Sequence, residues 1–207
     1  MMMQNTAMRW FLGVLWALTF VVILASLRFA FVALELAQPA MIYHALERPL
    51  VFYGHVVGAT IALALVPFQF WTRLRMRRLT LHSWLGRLYA VAILLGGISG
   101  VWLAMTTQTG SVAGAGFALL GVAWLYVTGN AVRLAMLGDI AAHRRWMIRS
   151  AALTLAAVTL RIYLPILAAT LGFEAGYTLV AWLCWVPNLL FAEWLLRREG
   201  QRRAVPA

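Results

Sequence analysis

The amino-acid sequence predicts an all-α protein, a polytopic transmembrane bundle of six membrane-spanning helices with both termini in the cytoplasm. Three observations support this prediction. Of the 207 residues, 64% are hydrophobic and only 11% are charged, whereas soluble domains carry about 45–50% apolar and about 25% charged residues. Long apolar stretches recur along the chain, and arginine is concentrated at one side of them. A soluble globular domain and a disordered chain are therefore both excluded.

Six apolar stretches occupy most of the chain, and each is long enough to cross the ~30 Å hydrocarbon core as a helix. They cover about 10–36, 50–71, 83–105, 112–137, 146–171 and 175–196. Because the connections are short, we expect one integral membrane domain over 1–207 and no second folded domain. The first stretch is longer than the apolar part of a cleaved signal peptide, so we expect it to be retained.

Arginine sets the predicted orientation of these helices. Fourteen arginines border the same ends of the stretches, only Arg28 and Arg48 border the opposite ends, and Arg161 lies inside the fifth stretch. Cytoplasmic loops retain positive charge, which predicts that both termini lie in the cytoplasm. The net charge of +11 is thus explained by topology, and no nucleic-acid partner is expected.

Several classes of chemistry have no support in the sequence. The single cysteine, Cys184, lies in an apolar stretch, which excludes a disulfide framework, a cysteine-rich zinc site and an iron–sulfur cluster. There is also no glycine-rich phosphate loop, no His-Glu-x-x-His motif and no nucleophile with a recognisable base nearby. Hydrolysis is therefore not expected.

His82 and His143 begin the third and fifth stretches, which run in the same direction, so the two imidazoles are expected at similar depth. Paired histidines on neighbouring helices are the metal ligands of a six-coordinate b-type haem. A glycine-lined face beside His82 could admit a porphyrin. Asp139 lies four residues before His143 and could orient its second nitrogen if the helix extends back that far. The alternative is that both histidines cap helices or contact lipid phosphate.

Arg161 shares a helical face with His143, Ser150 and Thr154, five turns further into the membrane. An arginine at that depth costs about 2.5–3.5 kcal/mol, so we expect it to face inward and to have a partner. His55 lies within about 4 Å of the same depth, and Tyr163 and carbonyls released by prolines are also close in depth. These residues form a candidate ligand site, although a structural role in hydrogen bonding explains them as well.

Small residues and tryptophans have simpler interpretations. The Gly-x-x-x-Gly spacings at Gly54, Gly96 and Gly110 predict close helix packing, with space for a flat cofactor as the alternative. Tryptophans near the ends of the stretches are expected to anchor the helices at the membrane interface.

Three spaced motifs carry a resemblance to a known family. They are His82-x-x-x-Gly86-Arg87-x-Tyr89, His143-Arg144-x-Trp146-Met147-x-Arg149-Ser150 and Arg161-x-Tyr163-x-Pro165. Together they resemble the bacterial predicted membrane-protein family called domain of unknown function 2306, over about residues 41–196. The resemblance implies a helical membrane fold, a place in the bacterial inner (cytoplasmic) membrane and no established activity. More loosely, the paired histidines are similar to those of the cytochrome b561-like superfamily, although the fourth stretch here contains no histidine.

The leading hypothesis for function is membrane electron transfer, with a b-type haem or a quinone held in the bundle by His82, His143, His55, Arg161 and Tyr163. One alternative is binding or transport of an anionic or lipid-like ligand at the interior Arg161 and His55. Another is a membrane assembly partner without catalysis. The expected partners are the lipid bilayer and a quinone or another membrane protein, and no cofactor other than haem is expected.

Overall fold

The computed structural model describes residues 6–31 and 41–204, and this part of the chain contains helices and no strand. The helices are α1 Thr6–Phe31, α2 Ile42–Glu47, α3 Pro49–Phe70, α4 Thr72–Arg77, α5 Leu79–Met105, α6 Ser111–Met136, α7 Ile140–Thr154, α8 Ala156–Leu171, α9 Phe173–Leu183 and α10 Val186–Ala204.

Five helical segments are long and apolar enough to cross a membrane. They are Pro49–Phe70, Leu79–Met105, Ser111–Met136, Ile140–Leu171 and Phe173–Gln201, and they correspond to the last five predicted stretches. The first predicted stretch, 10–36, is helical in α1, where the apolar part that the structure describes is Gly13–Ser26; its end lies outside the described residues. The helical membrane architecture is confirmed, whereas a membrane span at the first stretch and the sides of the termini stay predictions.

The last two spans are each interrupted. The fifth breaks at Leu155, between α7 and α8, where the Thr154 hydroxyl donates to the Ser150 carbonyl at 2.9 Å. Such a bond to the preceding turn bends a helix. The sixth breaks between α9 and α10, just before Pro187, which cannot donate a backbone hydrogen bond. Pro67 and Pro165, in contrast, lie inside continuous helices.

Glycine contacts bring the central helices together. A Cβ on Gly58 of α3 would stand 2.6 Å from the Gly96 nitrogen of α5, so the two backbones touch. Gly121 of α6 packs in the same way on Val101 of α5, where a Cβ would be 2.6 Å from the valine methyl. These contacts confirm the packing role expected of the glycines in α3 and α5. Gly110 is an exception, because a Cβ there would meet nothing within 4 Å and its φ of +99° places it in the turn before α6. The buried core forms among α3, α5, α6 and α7, with Ile93 and Leu153 among its members.

Two ends of the bundle differ in charge. The arginine-rich end comprises α4, the first turns of α5 and α7, and the last turns of α6 and α10. There α7 is held to α10 by ion pairs, Arg144 to Glu199 and Arg149 to Glu193. The arginine-poor end comprises α2, the connection between α5 and α6, and the turn before α9. Three tryptophans at the arginine-rich end lie under guanidinium groups, at ring distances between 4.1 and 5.0 Å.

Candidate functional site

His82, His143 and Gln69 come together at the arginine-rich end, and we call these three residues the histidine site. His82 in the first turn of α5 and His143 in the first turn of α7 interact electrostatically, in agreement with the depth expected for them. Gln69 belongs to the last turn of α3, and its Oε1 lies 3.5 Å from the position of a Cβ on Gly86, one turn after His82. The Phe68 backbone also lies close to the His82 ring.

Two polar atoms of the histidine site are buried and have no hydrogen-bond partner. They are Nδ1 of His82 and Nε2 of Gln69. A buried polar group without a partner costs about 1–3 kcal/mol, so each such group needs an explanation. Both atoms lie where the apolar core meets the arginine-rich end, a position from which a ligand with its own donors and acceptors could satisfy them.

His143 is oriented by a backbone carbonyl. Its Nδ1 donates to the Ala131 oxygen at 2.8 Å, so Nε2 carries the lone pair of the neutral ring. The expectation that Asp139 orients this ring is wrong, because Asp139 precedes the helix. Its Oδ1 accepts from the Ala142 nitrogen at 2.9 Å and caps the N-terminus of α7.

The glycine face beside His82 has no room for a porphyrin. Gly96 lies against the backbone of Gly58 and Ala59, and Gly100 lies against the His55 ring, whose Nδ1 is 2.8 Å from the position of a glycine Cβ. Helix α3 therefore fills the space that a flat cofactor would need. Haem ligation by His82 and His143 stays a prediction, and the packing of this face does not support it.

A buried hydroxyl network lies deeper in the bundle. The Tyr89 hydroxyl is 2.9 Å from Ser150 Oγ and 2.7 Å from Thr154 Oγ1. Thr128 Oγ1 is 2.7 Å from Ser150 Oγ, and the Trp124 indole donates to Thr154 Oγ1 at 2.9 Å. Every hydroxyl here has a partner, so the network links α5, α6 and α7 and leaves no group for a ligand. Ser150 and Thr154 therefore have the structural role in hydrogen bonding that the sequence analysis gives as the alternative to a ligand site.

The Arg161 guanidinium forms hydrogen bonds with its own helix and with α1. It donates to the Ala157 carbonyl and to Ser26 Oγ, each at 3.0 Å. It interacts electrostatically with His55, as expected from their depth, and the His55 Nδ1 donates to the Gly96 carbonyl at 2.8 Å. Tyr163 is 38% exposed, and its place in the candidate ligand site stays a prediction. Arg161 therefore has partners, as expected, and they include a carbonyl and a hydroxyl.

The histidine site, the hydroxyl network and Arg161 all fall within one family match. A family model described as "Predicted membrane protein (DUF2306)" matches residues 52–196, which is most of the chain. The chain belongs to this family. No curated protein and no solved structure matches this DUF2306 protein. The looser similarity to the cytochrome b561-like superfamily stays a resemblance.

The sequence did not assign a site role to Gln69 or His44 of this DUF2306 protein. Gln69 is an amide at the end of an apolar stretch. That position indicates a polar group in the bundle, but it does not indicate which residues surround it. His44 lies in α2, outside the spans, and is fully buried with both ring nitrogens unpartnered. Burial and the Arg48 charge lower the pKa of His44, and Glu47 opposes them. The neutral imidazole is therefore favoured.

Proposed function

We propose that this DUF2306 protein binds a quinone at the histidine site and passes electrons between the quinone pool and a partner membrane protein in the bacterial inner membrane. The observation that carries the proposal is the pair of buried, unpartnered atoms, His82 Nδ1 and Gln69 Nε2. A ligand that forms hydrogen bonds with both atoms would offset the unfavourable free energy of burying them without a partner.

A quinone matches the hydrogen-bonding character of these two atoms. The Gln69 amide nitrogen is a donor, and a quinone carbonyl is an acceptor. The His82 nitrogen is an acceptor in one tautomer, which suits the hydroxyl of a quinol, and a donor in the other, which suits the second carbonyl of the quinone. One site thus pairs with the oxidised and the reduced form of the same ligand.

The position of the site also suits an amphipathic ligand. The histidine site lies at the end of α3 and the start of α5, where apolar residues such as Phe68 and Leu85 pack on the core. Arg75 is close enough to act on the His82 ring. A polar head group at this level would leave its isoprenoid tail in the hydrocarbon core, because the arginines mark the membrane boundary.

His82 supplies the proton chemistry that quinol oxidation needs. Oxidation of one quinol releases two electrons and two protons. The unpartnered nitrogen of His82 is placed to accept the first proton from the hydroxyl that it binds, because this nitrogen carries a lone pair in one tautomer. The second proton would pass to water at the arginine-rich end. The two electrons would be taken one at a time by an iron redox centre, haem or iron–sulfur, of the partner membrane protein.

The rival function is binding of an anionic or lipid-like ligand at Arg161 and His55. The contacts of these two side chains favour a structural role, because Arg161 donates to Ala157 and Ser26 and His55 donates to Gly96. The histidine site, with its unfilled hydrogen bonds, is therefore the better candidate for a ligand.

A titration with decylubiquinone tests the proposal. Purified, quinone-free protein in detergent should gain thermal stability in a saturable way, because a ligand that binds only the native state raises its stability. Gln69→Leu and His82→Phe should abolish the gain. Gln108→Leu should keep it, because this exposed glutamine lies at the arginine-poor end.

Two results would contradict the proposal. The first is a wild-type protein whose stability decylubiquinone does not change. The second is a gain that survives in Gln69→Leu and His82→Phe but is lost in Arg161→Gln, which would favour the rival site. An absorption spectrum of the oxidised and dithionite-reduced protein provides an independent test, since cytochrome bands would indicate haem at the two histidines.

A further inference from the structure

A cleft opens at the arginine-poor end, far from the histidine site. It has a volume of ≈ 1080 Å³ and is formed by α2, the connection between α5 and α6, and the first two turns of α9. Its lining includes Tyr43, Gln108, Thr109, Phe173, Glu174 and Leu179. Clefts of this size accommodate small organic ligands.

The cleft has fixed walls. The Gln108 backbone nitrogen donates to the Tyr43 hydroxyl at 3.0 Å, which ties α2 to the connection between α5 and α6. Thr107 and Thr109 hydroxyls are 2.8 Å apart within that connection. On the other side, Phe173 stacks on Tyr177 with ring centroids 5.5 Å apart. Two of the elements that form the cleft are therefore joined by a hydrogen bond, and the third, α9, is ordered by stacking of its own aromatic rings.

Glu174 is the charged residue of the cleft, and it differs from the other acidic residues that the structure describes. Glu47, Glu193 and Glu199 form ion pairs, and Asp139 caps α7. Within the described ranges, the Glu174 carboxylate has no ion pair and is exposed to the cleft. Glu174 lies in the first turn of α9.

The chemistry around Glu174 selects for a cation with an apolar part. Tyr43 and Phe173 contribute aromatic rings, which attract cations through their faces, and Leu179 contributes an aliphatic surface. None of the lining residues that the structure describes is an arginine, although the protein carries a net charge of +11. His44, which follows Tyr43 and whose ring lies 4.0 Å from the Tyr43 ring, is kept neutral by burial and adds no positive charge.

We propose that this cleft binds a primary ammonium group on an apolar chain, with Glu174 as its counter-ion and the rings of Tyr43 and Phe173 around it. The ammonium group has two sources, the ethanolamine head group of a phospholipid and a water-soluble alkylamine. The proposal does not depend on quinone binding, because the cleft and the histidine site lie at opposite ends of the bundle.

Calorimetric titration with hexylammonium chloride tests the proposal on the full chain in detergent. We expect saturable binding by the wild type, and at least about tenfold weaker binding by Glu174→Gln, which corresponds to the loss of about 1.4 kcal/mol. Glu47→Gln is the matched control and should bind as the wild type does, because that acid lies at the same end but pairs with Arg48. Equal binding by Glu174→Gln, or equal binding of hexanol, would overturn the proposal.

Reconstitution separates the two sources. Nanodiscs of phosphatidylethanolamine should compete with hexylammonium and weaken its apparent affinity relative to phosphatidylcholine nanodiscs if the lipid is the ligand. Equal affinity in both lipids would assign the cleft to the soluble amine. Absence of hexylammonium binding in detergent and in both lipids would reject an ammonium site.

Discussion

Replacing Gln69 with leucine should make the quinone-free protein more stable. The Gln69 amide nitrogen is buried without a partner, and a buried donor of this kind costs about 1–3 kcal/mol. Leucine has a similar volume and no polar atom, so the substitution removes this cost. A protein of this size changes its melting temperature by about 2–4 °C for each kcal/mol. We therefore expect the melting temperature of Gln69→Leu to rise by several degrees.

Decylubiquinone should reverse this order of stability. At a ligand concentration of about 100 times Kd, binding stabilises the native state by about 2.7 kcal/mol. The wild type should gain this amount, whereas Gln69→Leu should gain little because its donor is missing. The variant that is more stable without ligand then becomes the less stable one with ligand.

Thermal unfolding in one detergent, with and without decylubiquinone, measures both effects. Gln108→Leu controls for the change of side chain at an exposed position and should alter stability by less than about 0.5 kcal/mol. If Gln69→Leu lowers the melting temperature of the quinone-free protein, the amide is satisfied within the fold and the reasoning about the histidine site fails.

Three further predictions concern stability. Tyr89→Phe should lower the free energy of unfolding by about 1–3 kcal/mol, because it removes a buried hydroxyl bonded to Ser150 and Thr154; unchanged stability in denaturant titration would show that the network contributes nothing. Asp139→Ala should cost about 0.5–2 kcal/mol by removing the cap of α7, whereas no loss on thermal unfolding would contradict that role. Stability should fall as the pH is lowered below about 6.5, because the pKa of His44 is lower in the folded chain and the unfolded chain takes up the proton first. His44→Leu should reduce this dependence between pH 7 and pH 5, and an identical pH profile would show that another group causes it.

The helices and the two ends of the bundle could be predicted because hydropathy and charge are properties of contiguous sequence. Five predicted stretches correspond to helical segments that could span a membrane. The break at Leu155 could not be predicted from proline positions, since Pro165 lies inside α8 and a threonine hydroxyl accompanies the break. Asp139 was misplaced because an (i, i+4) contact with His143 requires a helix that begins before Asp139, and α7 begins after it.

The partners of inward-facing residues depend on how helices rotate about their axes, which one sequence does not determine. The depth of His82 and His143 follows from their positions in two parallel stretches, and the electrostatic interaction between them agrees with it. The neighbour that completes the histidine site, Gln69, comes from a third helix. The glycine face illustrates the same limit, because its small residues indicate space but not whether a helix or a ligand fills it.

Hydrogen-bond satisfaction distinguishes the histidine site from the candidate site at Arg161 and His55. Arg161 lies in the more costly environment, yet its guanidinium donates to a carbonyl and a hydroxyl, so the fold itself offsets part of the cost of burying it. At the histidine site, the amide donor of Gln69 in the last turn of α3 and a ring nitrogen of His82 in the first turn of α5 have no hydrogen-bond partner. A ligand gains most where the protein has already removed water and supplied no partner, because its hydrogen bonds there replace none. This difference favours the histidine site as the ligand site that we propose, whereas Arg161 connects α8 to α1 through its hydrogen bond to Ser26.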